Sequence, residues 1–450
     1  MKLMSGYKKQ CIYILIGLVA LLFPFLKTSY FMLAFLGGAV LFSTITPRST
    51  IFNFLARESD IKAGKLLGFI QLFFIMAILL MISLILGDNK LPIFIIGAAF
   101  AITTFGDGVA DVINILDKEK QSNIQSNIKF YSAKSSIVFL ISGSACAFLA
   151  GAWISGFTLP VPYGMLFFLA VVGAITGALL ESITMTDDNI VIPFGSAMVM
   201  WLFYTFGYNV DTIYLMQALV FSFVLGYLAY RARIADISAM LSATLFGVVI
   251  IISSDVRWFF ILLTFFFLGS LFTHYKYNYK LAQGTAERKG GVRGYKNVFS
   301  NSLAALSLAV AYGIFPSHGQ ILMSAYLGSV ATACGDTLAS EIGETFRGEP
   351  RMITTFKKVK AGTDGAISIL GEEAAFFGSG AIALLAYLLI QNDSGLAIAV
   401  AAGGFIGTNI DSVLGATLQQ KGHLSNNGVN LLATISGAII SGILYYSMGS

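Results

Sequence analysis

The chain has 450 residues, of which 56% are hydrophobic and only 11% charged, with a formal net charge of +5. A mean hydropathy of +0.80 leaves too little polar surface to coat a water-soluble globule, and the apolar content runs along the whole chain. These figures exclude a soluble enzyme with one membrane anchor and a disordered chain, and they point to a polytopic membrane protein. The surplus cations belong in cytoplasmic loops by the positive-inside bias, so no nucleic-acid partner is read from them.

In chain order, a basic flank precedes an apolar run at 11–26, which ends at Pro24-Phe25-Leu26-Lys27 without a small-residue cleavage site. A retained first helix is expected. Further runs near bilayer-spanning length follow at 30–46, 66–86, 92–105, 135–153, 163–182 and 190–206, then at 213–230, 237–253, 258–272, 298–315, 320–335, 374–390, 396–415 and 430–447. They are apolar all round, where the strands of a membrane β-barrel would alternate. The expected fold is therefore all-α, with about fifteen transmembrane helices. The connecting segments alternate between basic loops and short cation-poor ones, which places the basic set on the cytoplasmic side. Cys11, Cys146 and Cys334 are odd in number and lie in or beside apolar runs, so they are expected to pack, not to form a disulfide framework.

An internal repeat emerges on close reading. Gly106-Asp107-Gly108-Val109-Ala110-Asp111 and Gly335-Asp336-Thr337-Leu338-Ala339-Ser340-Glu341 each stand at the end of a span. Each is followed by a charged loop, a glycine-rich helix and further acids: Glu181 with Asp187 and Asp188 in the first case, Asp411 in the second. Two related halves, 1–210 and 211–450, are expected.

Asp107 and Asp111 are four residues apart, which on a helix puts both carboxylates on one face. Two like charges beside hydrocarbon need a neutralising partner, either Lys134 or a shared divalent cation. The turn Asp187-Asp188-Asn189 returns to the same side two spans later, with Glu181 one turn deeper. The second half is denser. Asp336, Glu341 and Glu344 are followed by Arg347, Arg351, the run containing Lys357, Lys358 and Lys360, and the turn Gly362-Thr363-Asp364-Gly365. Acids for a metal beside cations and backbone N–H groups for phosphate oxygens are what a magnesium–nucleotide site requires. A basic loop gripping anionic lipid headgroups would explain the cations but not the interleaved acids. No G-x-x-x-x-G-K-[ST] occurs, so a nucleotide would be held without a P-loop. Farther on, Asp411 lies within a glycine-rich apolar run, and Asn430 follows a polar turn.

The stretch Gly335–Gly343, then Pro350-Arg351-Met352-Ile353-Thr354-Thr355, Gly362–Gly365 with Ser368 and Gly371, and Asp411–Gln419 with Asn430, resembles the membrane family that contains phytyl-phosphate kinase. The first half, through Gly106–Asp111, Lys134-Ser135, Glu181-Ser182, Asp187-Asp188-Asn189 and Pro193, looks like the polyprenol kinase family of phytol and dolichol kinases. The resemblance implies a fusion of two consecutive kinases: the first phosphorylates an isoprenoid alcohol, and the second converts that monophosphate to the diphosphate. Magnesium would be the cofactor and CTP or another nucleoside triphosphate the donor; the sequence start, which does not read as a transit peptide, sets the expectation of a prokaryotic plasma membrane. The resemblance also implies roles: Asp107 and Asp111 on magnesium or the hydroxyl with Lys134 on phosphate, then Asp336, Glu341 and Asp411 on the second metal with Arg351, Lys357, Gly362, Thr363 and Gly365 on phosphates. The competing expectations are a transporter of a lipid or small anion, whose acids would sit at mid-membrane, and a kinase in which only the second half is active.

Overall fold

The computed structural model describes residues 2–56, 58–87, 89–120, 133–183, 188–208 and 210–449. Among them, ten helices are long and apolar enough to cross a membrane, and Gln10–Leu22, Thr28–Thr44 and Ile237–Ser253 are shorter apolar helices. The chain is an all-α integral membrane protein. Length and composition do not reach the expected count of about fifteen spans. The runs at 190–206 and 320–335 lie in Asp188–Thr205 and Gly319–Gly343, helices that bury asparagine, serine or threonine among their apolar residues. The chain divides into two compact units, Met1–Leu215 and Met216–Ser450.

In the first unit the principal helices are α1 (Lys2–Gly17), α2 (Thr28–Thr44), α3 (Leu67–Leu86), α4 (Ile93–Ala101), α5 (Gly108–Lys120), α6 (Ala133–Phe157), α7 (Tyr163–Ser182) and α8 (Asp188–Thr205). Every residue of α4 is buried, so this helix is the centre of the unit and α6 and α8 pack around it. Between α4 and α5 the helix widens into a π turn over Ile102–Asp107. Just there the hydroxyls of Thr103 and Thr104 donate back to the carbonyls of Ala99 (2.9 Å) and Phe100 (2.8 Å). Such back-bonding competes with the helix ladder, and π turns of this kind recur at functional positions. Asp107 is the last residue of the turn.

The second unit is entered along α9 (Thr212–Arg231). It continues through α10 (Ile237–Ser253), α11 (Val256–His274), α12 (Tyr277–Gln283), α13 (Tyr295–Ile314), α14 (Gly319–Gly343), α15 (Ile369–Leu385), α16 (Ser394–Leu414) and α17 (Asn426–Gly449). Asp236, Ser368 and Asp393 cap the N-termini of α10, α15 and α16, accepting from Ala239, Gly371 and Gly395 N–H groups. The centre is α14, buried continuously from Met323 to Gly335 and packed by α13, α15, α16 and α17. Close approach depends on small residues. A Cβ on Gly437 of α17 would lie 1.9 Å from Thr332 Oγ1 of α14. Ser324 Oγ donates to Ser441 O at 3.0 Å, and Ser441 Oγ donates to Ser324 O at 2.9 Å, which clasps α14 to α17 at their other ends. Between α14 and α15 runs an irregular strap. Within it β1 (Arg351–Met352) pairs antiparallel with β2 (Ala366–Ile367), the only sheet among the described residues.

Candidate functional site

In the first unit, the π turn and the start of α5 bring Asp107 and Asp111 to Glu181 near the end of α7. Carboxylate oxygens of all three lie within 4.8 Å of one another, and Asp107 and Glu181 are buried. Gln10 Nε2 donates to Asp111 Oδ2 at 2.7 Å, while the Gln10 carbonyl oxygen is buried without a hydrogen-bond partner. Three acidic oxygens at this separation are a donor set for a hard divalent cation, with the Gln10 amide beside them on Asp111. The sequence reading anticipated all three acids; Gln10 it missed, because a glutamine ending a basic flank reads as solvated. Asp188 stands at the first turn of α8, outside the three-carboxylate cluster. Lys134 is exposed. Asp187 lies outside the described residues.

The second unit holds a cavity of about 300 Å³. It is formed where the C-terminal ends of α14 and α16 meet the N-terminal ends of α13, α15 and α17 under the strap. Asp336 from α14 and Asp411 from α16 stand side by side in its lining, close enough to share a hydrogen bond. Asp411 Oδ2 is buried with no donor assigned to it among the described residues. Such an orphaned acceptor is costly unless a cation or donor completes it, so the pair fits a metal ion. Nearby, Asn409 Nδ2 donates to Glu372 Oε2 at 3.2 Å and to Phe405 O at 3.0 Å.

The opposite wall supplies positive charge. Arg293, 8% exposed, lines the cavity, and its guanidinium stacks over Phe265 with 5.8 Å to the ring centroid. Behind the wall Lys280 is fully buried. Its ammonium donates to Phe272 O (3.2 Å), Thr273 O (2.8 Å) and Glu341 Oε2, which uses all three of its hydrogens. Glu341 Oε1 accepts from Thr273 Oγ1 at 2.7 Å. Glu341 lines the cavity, as expected, but both of its oxygens are already engaged, so its described role is to anchor Lys280 and not to offer a free metal ligand. Glu344, just past α14, is half-buried. Burial, reinforced by the nearby Glu341 charge, pushes its carboxyl up to about 7.

The strap closes the third side with Gly362, Thr363, Asp364 and Gly365, all in the cavity lining. Gly365 has φ +76°, and a Cβ there would fall 2.4 Å from Ala416 N. Both facts demand glycine. Gln420 Nε2 donates to Asp364 O at 2.8 Å, fixing the turn against the segment that follows α16, and Ile353 N donates to Gly365 O at 3.1 Å within the strap. Asn297, Asn301, Asn426 and Asn430 add amide groups, with Asn430 Nδ2 donating to Asn301 Oδ1 at 3.4 Å. Arg351 and Lys357, expected on phosphates, are exposed and lie outside the lining, because the β1 hairpin turns back on itself. There Met352 N donates to Lys357 O, and Arg351 Nη1 donates to Phe356 O. The cations the cavity does contain or rest upon come from the segment between α11 and α13: Lys280 from α12 and Arg293 from the turn before α13. The sequence signal for the arginine is local: Gly290-Gly291-Val292-Arg293-Gly294 sets it among glycines just before a span.

Comparison with known proteins bears on this second unit. The family model for Integral membrane protein DUF92 matches residues 220–438, which contain every residue lining the cavity. A membrane protein of Methanocaldococcus jannaschii is 34% identical over 244 residues, 53% of this chain and 100% of the relative. One from Synechocystis is 37% identical over 201 residues, 44% of this chain and 78% of the relative. The chloroplastic protein VTE6 of Arabidopsis thaliana is 30% identical over 190 residues, 41% of this chain and 57% of the relative. No solved structure gives a significant match. With an archaeal relative aligned over its whole length and the second unit covered almost end to end by the family model, the chain belongs to the DUF92 family of integral membrane proteins.

Proposed function

We propose that the second unit transfers a phosphoryl group from a nucleoside triphosphate, CTP by the resemblance noted above, to a prenyl monophosphate drawn from the bilayer, yielding the diphosphate. The observation that carries this reading is the juxtaposition in one cavity of the Asp336–Asp411 pair, the buried Arg293 and the Gly362–Gly365 turn. Acids suit a metal, and the guanidinium and turn suit phosphate oxygens. Magnesium, when bound, would neutralise charge on the donor phosphates. Asp336 and Asp411 would hold it, Arg293 and the turn would orient the two phosphate groups, and the strap would exclude water. The bond between the terminal phosphorus and its bridging oxygen breaks as one forms to an acceptor monophosphate oxygen, and the nucleoside diphosphate leaves. The cavity lies at the end of the unit that carries Lys280, Arg293, Lys357, Lys360 and Lys421, whereas Arg257 starts α11 at the other end. The positive-inside bias makes the cavity end cytoplasmic, where nucleotide is available.

For the first unit we propose the preceding step, phosphorylation of an isoprenoid alcohol, with Asp107, Asp111 and Glu181 as the cation site and the Gln10 amide beside them on Asp111. The test is phosphate incorporation from labelled CTP by purified protein in detergent, offered geranylgeraniol or geranylgeranyl monophosphate with magnesium. Incorporation into the monophosphate is expected. None with either acceptor and any nucleoside triphosphate would end the kinase reading.

A further inference from the structure

Resting on the prenyl-phosphate reading, we propose that an apolar groove between α13, α14 and α17 seats the isoprenoid chain of the substrate, with its phosphate end at Asn301 and Asn430. The groove has a volume of about 600 Å³ and no charged side chain in its lining. Its one serine, Ser307, is satisfied within its own helix by Leu303 O at 2.9 Å.

Continuity with the polar cavity identifies the occupant. Helices α13 and α17 both leave the cavity as they run on: Asn301 and Asn430 line the cavity, and Leu303 and Leu431, the next residues or nearly so, open the groove. The Asn301–Asn430 hydrogen bond joins the two helices where the polar lining gives way to the apolar one. An amphiphile with a phosphate at one end matches both halves. From Leu431 to Tyr446 the groove follows α17 for about 22 Å, most of the roughly 30 Å hydrocarbon depth of a bilayer. Ile439 and Ile443 of its lining are 55% and 63% exposed, so the groove is open along one side and a chain can enter laterally. Small residues, Ala304, Ala325, Ala438 and Gly442, alternate with leucine and isoleucine in the lining and leave notches of methyl size, suited to a branched chain.

Gly442 sets the reach of the groove. A Cβ added there meets Ile321 Cγ2 at 3.5 Å and Ala325 Cβ at 3.6 Å, ordinary contacts, so Gly442→Leu is expected to fold and to plug the far end. In the transfer assay this variant should lower the ratio of kcat/KM for geranylgeranyl over geranyl monophosphate by at least about tenfold. Independently of transfer, wild-type protein should be labelled on α17 near Ile443 and Tyr446 by geranylgeranyl monophosphate carrying a photoreactive tail. Excess unlabelled geranylgeranyl monophosphate should suppress that labelling, and excess phosphatidylglycerol should not. An unchanged chain-length ratio in Gly442→Leu, labelling scattered over other lipid-facing helices, or equal competition by phosphatidylglycerol would each overturn the assignment. Failure of wild-type transfer to both monophosphates would instead sink the kinase reading and leave the labelling to decide the groove.

Discussion

In the first unit three carboxylates, Asp107, Asp111 and Glu181, converge within 4.8 Å, with the Gln10 amide on Asp111. In the second, Asp336 and Asp411 look onto a wall that already holds Arg293, with Lys280 buried behind it on Glu341. The first arrangement gathers negative charge and calls for a cation from solution. The second carries part of its countercharge in its own chain, so it can receive an anionic ligand and a metal together. The second geometry therefore suits an anionic ligand with its metal, and the first chiefly an ion.

Removing the built-in countercharge should do the most damage. Lys280→Met leaves Glu341 buried beside Thr273 without its cation, a change expected to cost about 3–5 kcal/mol. A large fall in the detergent melting temperature should follow, and adding Glu341→Gln should recover most of it. A melting point unchanged in the single variant would mean that the wall does not depend on this pair. Next comes chemistry: Asp411→Asn keeps shape but removes charge from the oxygen that lacks a partner, and diphosphate formation should drop by at least about 100-fold. Asp336→Asn should do likewise while sparing phosphorylation of the free alcohol, and Asp107→Asn should show the reverse pattern. Loss of both reactions in each variant would replace two sites by one.

A smaller effect separates the cations. Arg293→Met should raise the nucleotide KM by about tenfold or more, as expected for a lost charge-assisted contact, whereas exposed Lys357→Ala should change it by about twofold at most. Equal effects would return the β1 hairpin to the phosphate site. The smallest is a pH slope. Glu344 holds its proton up to about 7 in the folded protein, against an ordinary value near 4.5. Between those values the folded state binds more protons than the unfolded one, so stability should fall as pH rises through this window and level off above it. Glu344→Gln should flatten that part of the melting-versus-pH curve.

Hydropathy exposed the helices because spanning a bilayer leaves a long apolar run in the sequence, and helical spacing was enough to pair Asp107 with Asp111. It could not show that Glu181, seventy residues later, would complete their cluster at contact distance. Lys280 was hidden for a different reason. In Tyr275-Lys276-Tyr277-Asn278-Tyr279-Lys280 it reads as one more loop cation, and only the fold reveals that its ammonium is buried on two carbonyls and a carboxylate. Arg351 and Lys357 present the opposite case, exposed and outside the cavity lining. Their closeness in sequence to the glycine turn suggested a shared target, but the hairpin separates side chains that the chain order brings together.

The Ser324–Ser441 clasp and the glycine contact at Gly437 have a mechanical consequence. Helices joined by reciprocal hydrogen bonds at one end and pressed against bare backbone farther along have little freedom to slide, so α14 and α17 should behave as one stiff beam. The compliant member is then the strap, tethered through Gln420 to the Asp364 carbonyl, and ligand exchange should be governed by its opening. Gln420→Ala removes one tether, and faster hydrogen exchange is expected across the strap with α14 unaltered. Matching acceleration within α14 would show that the beam bends with the door.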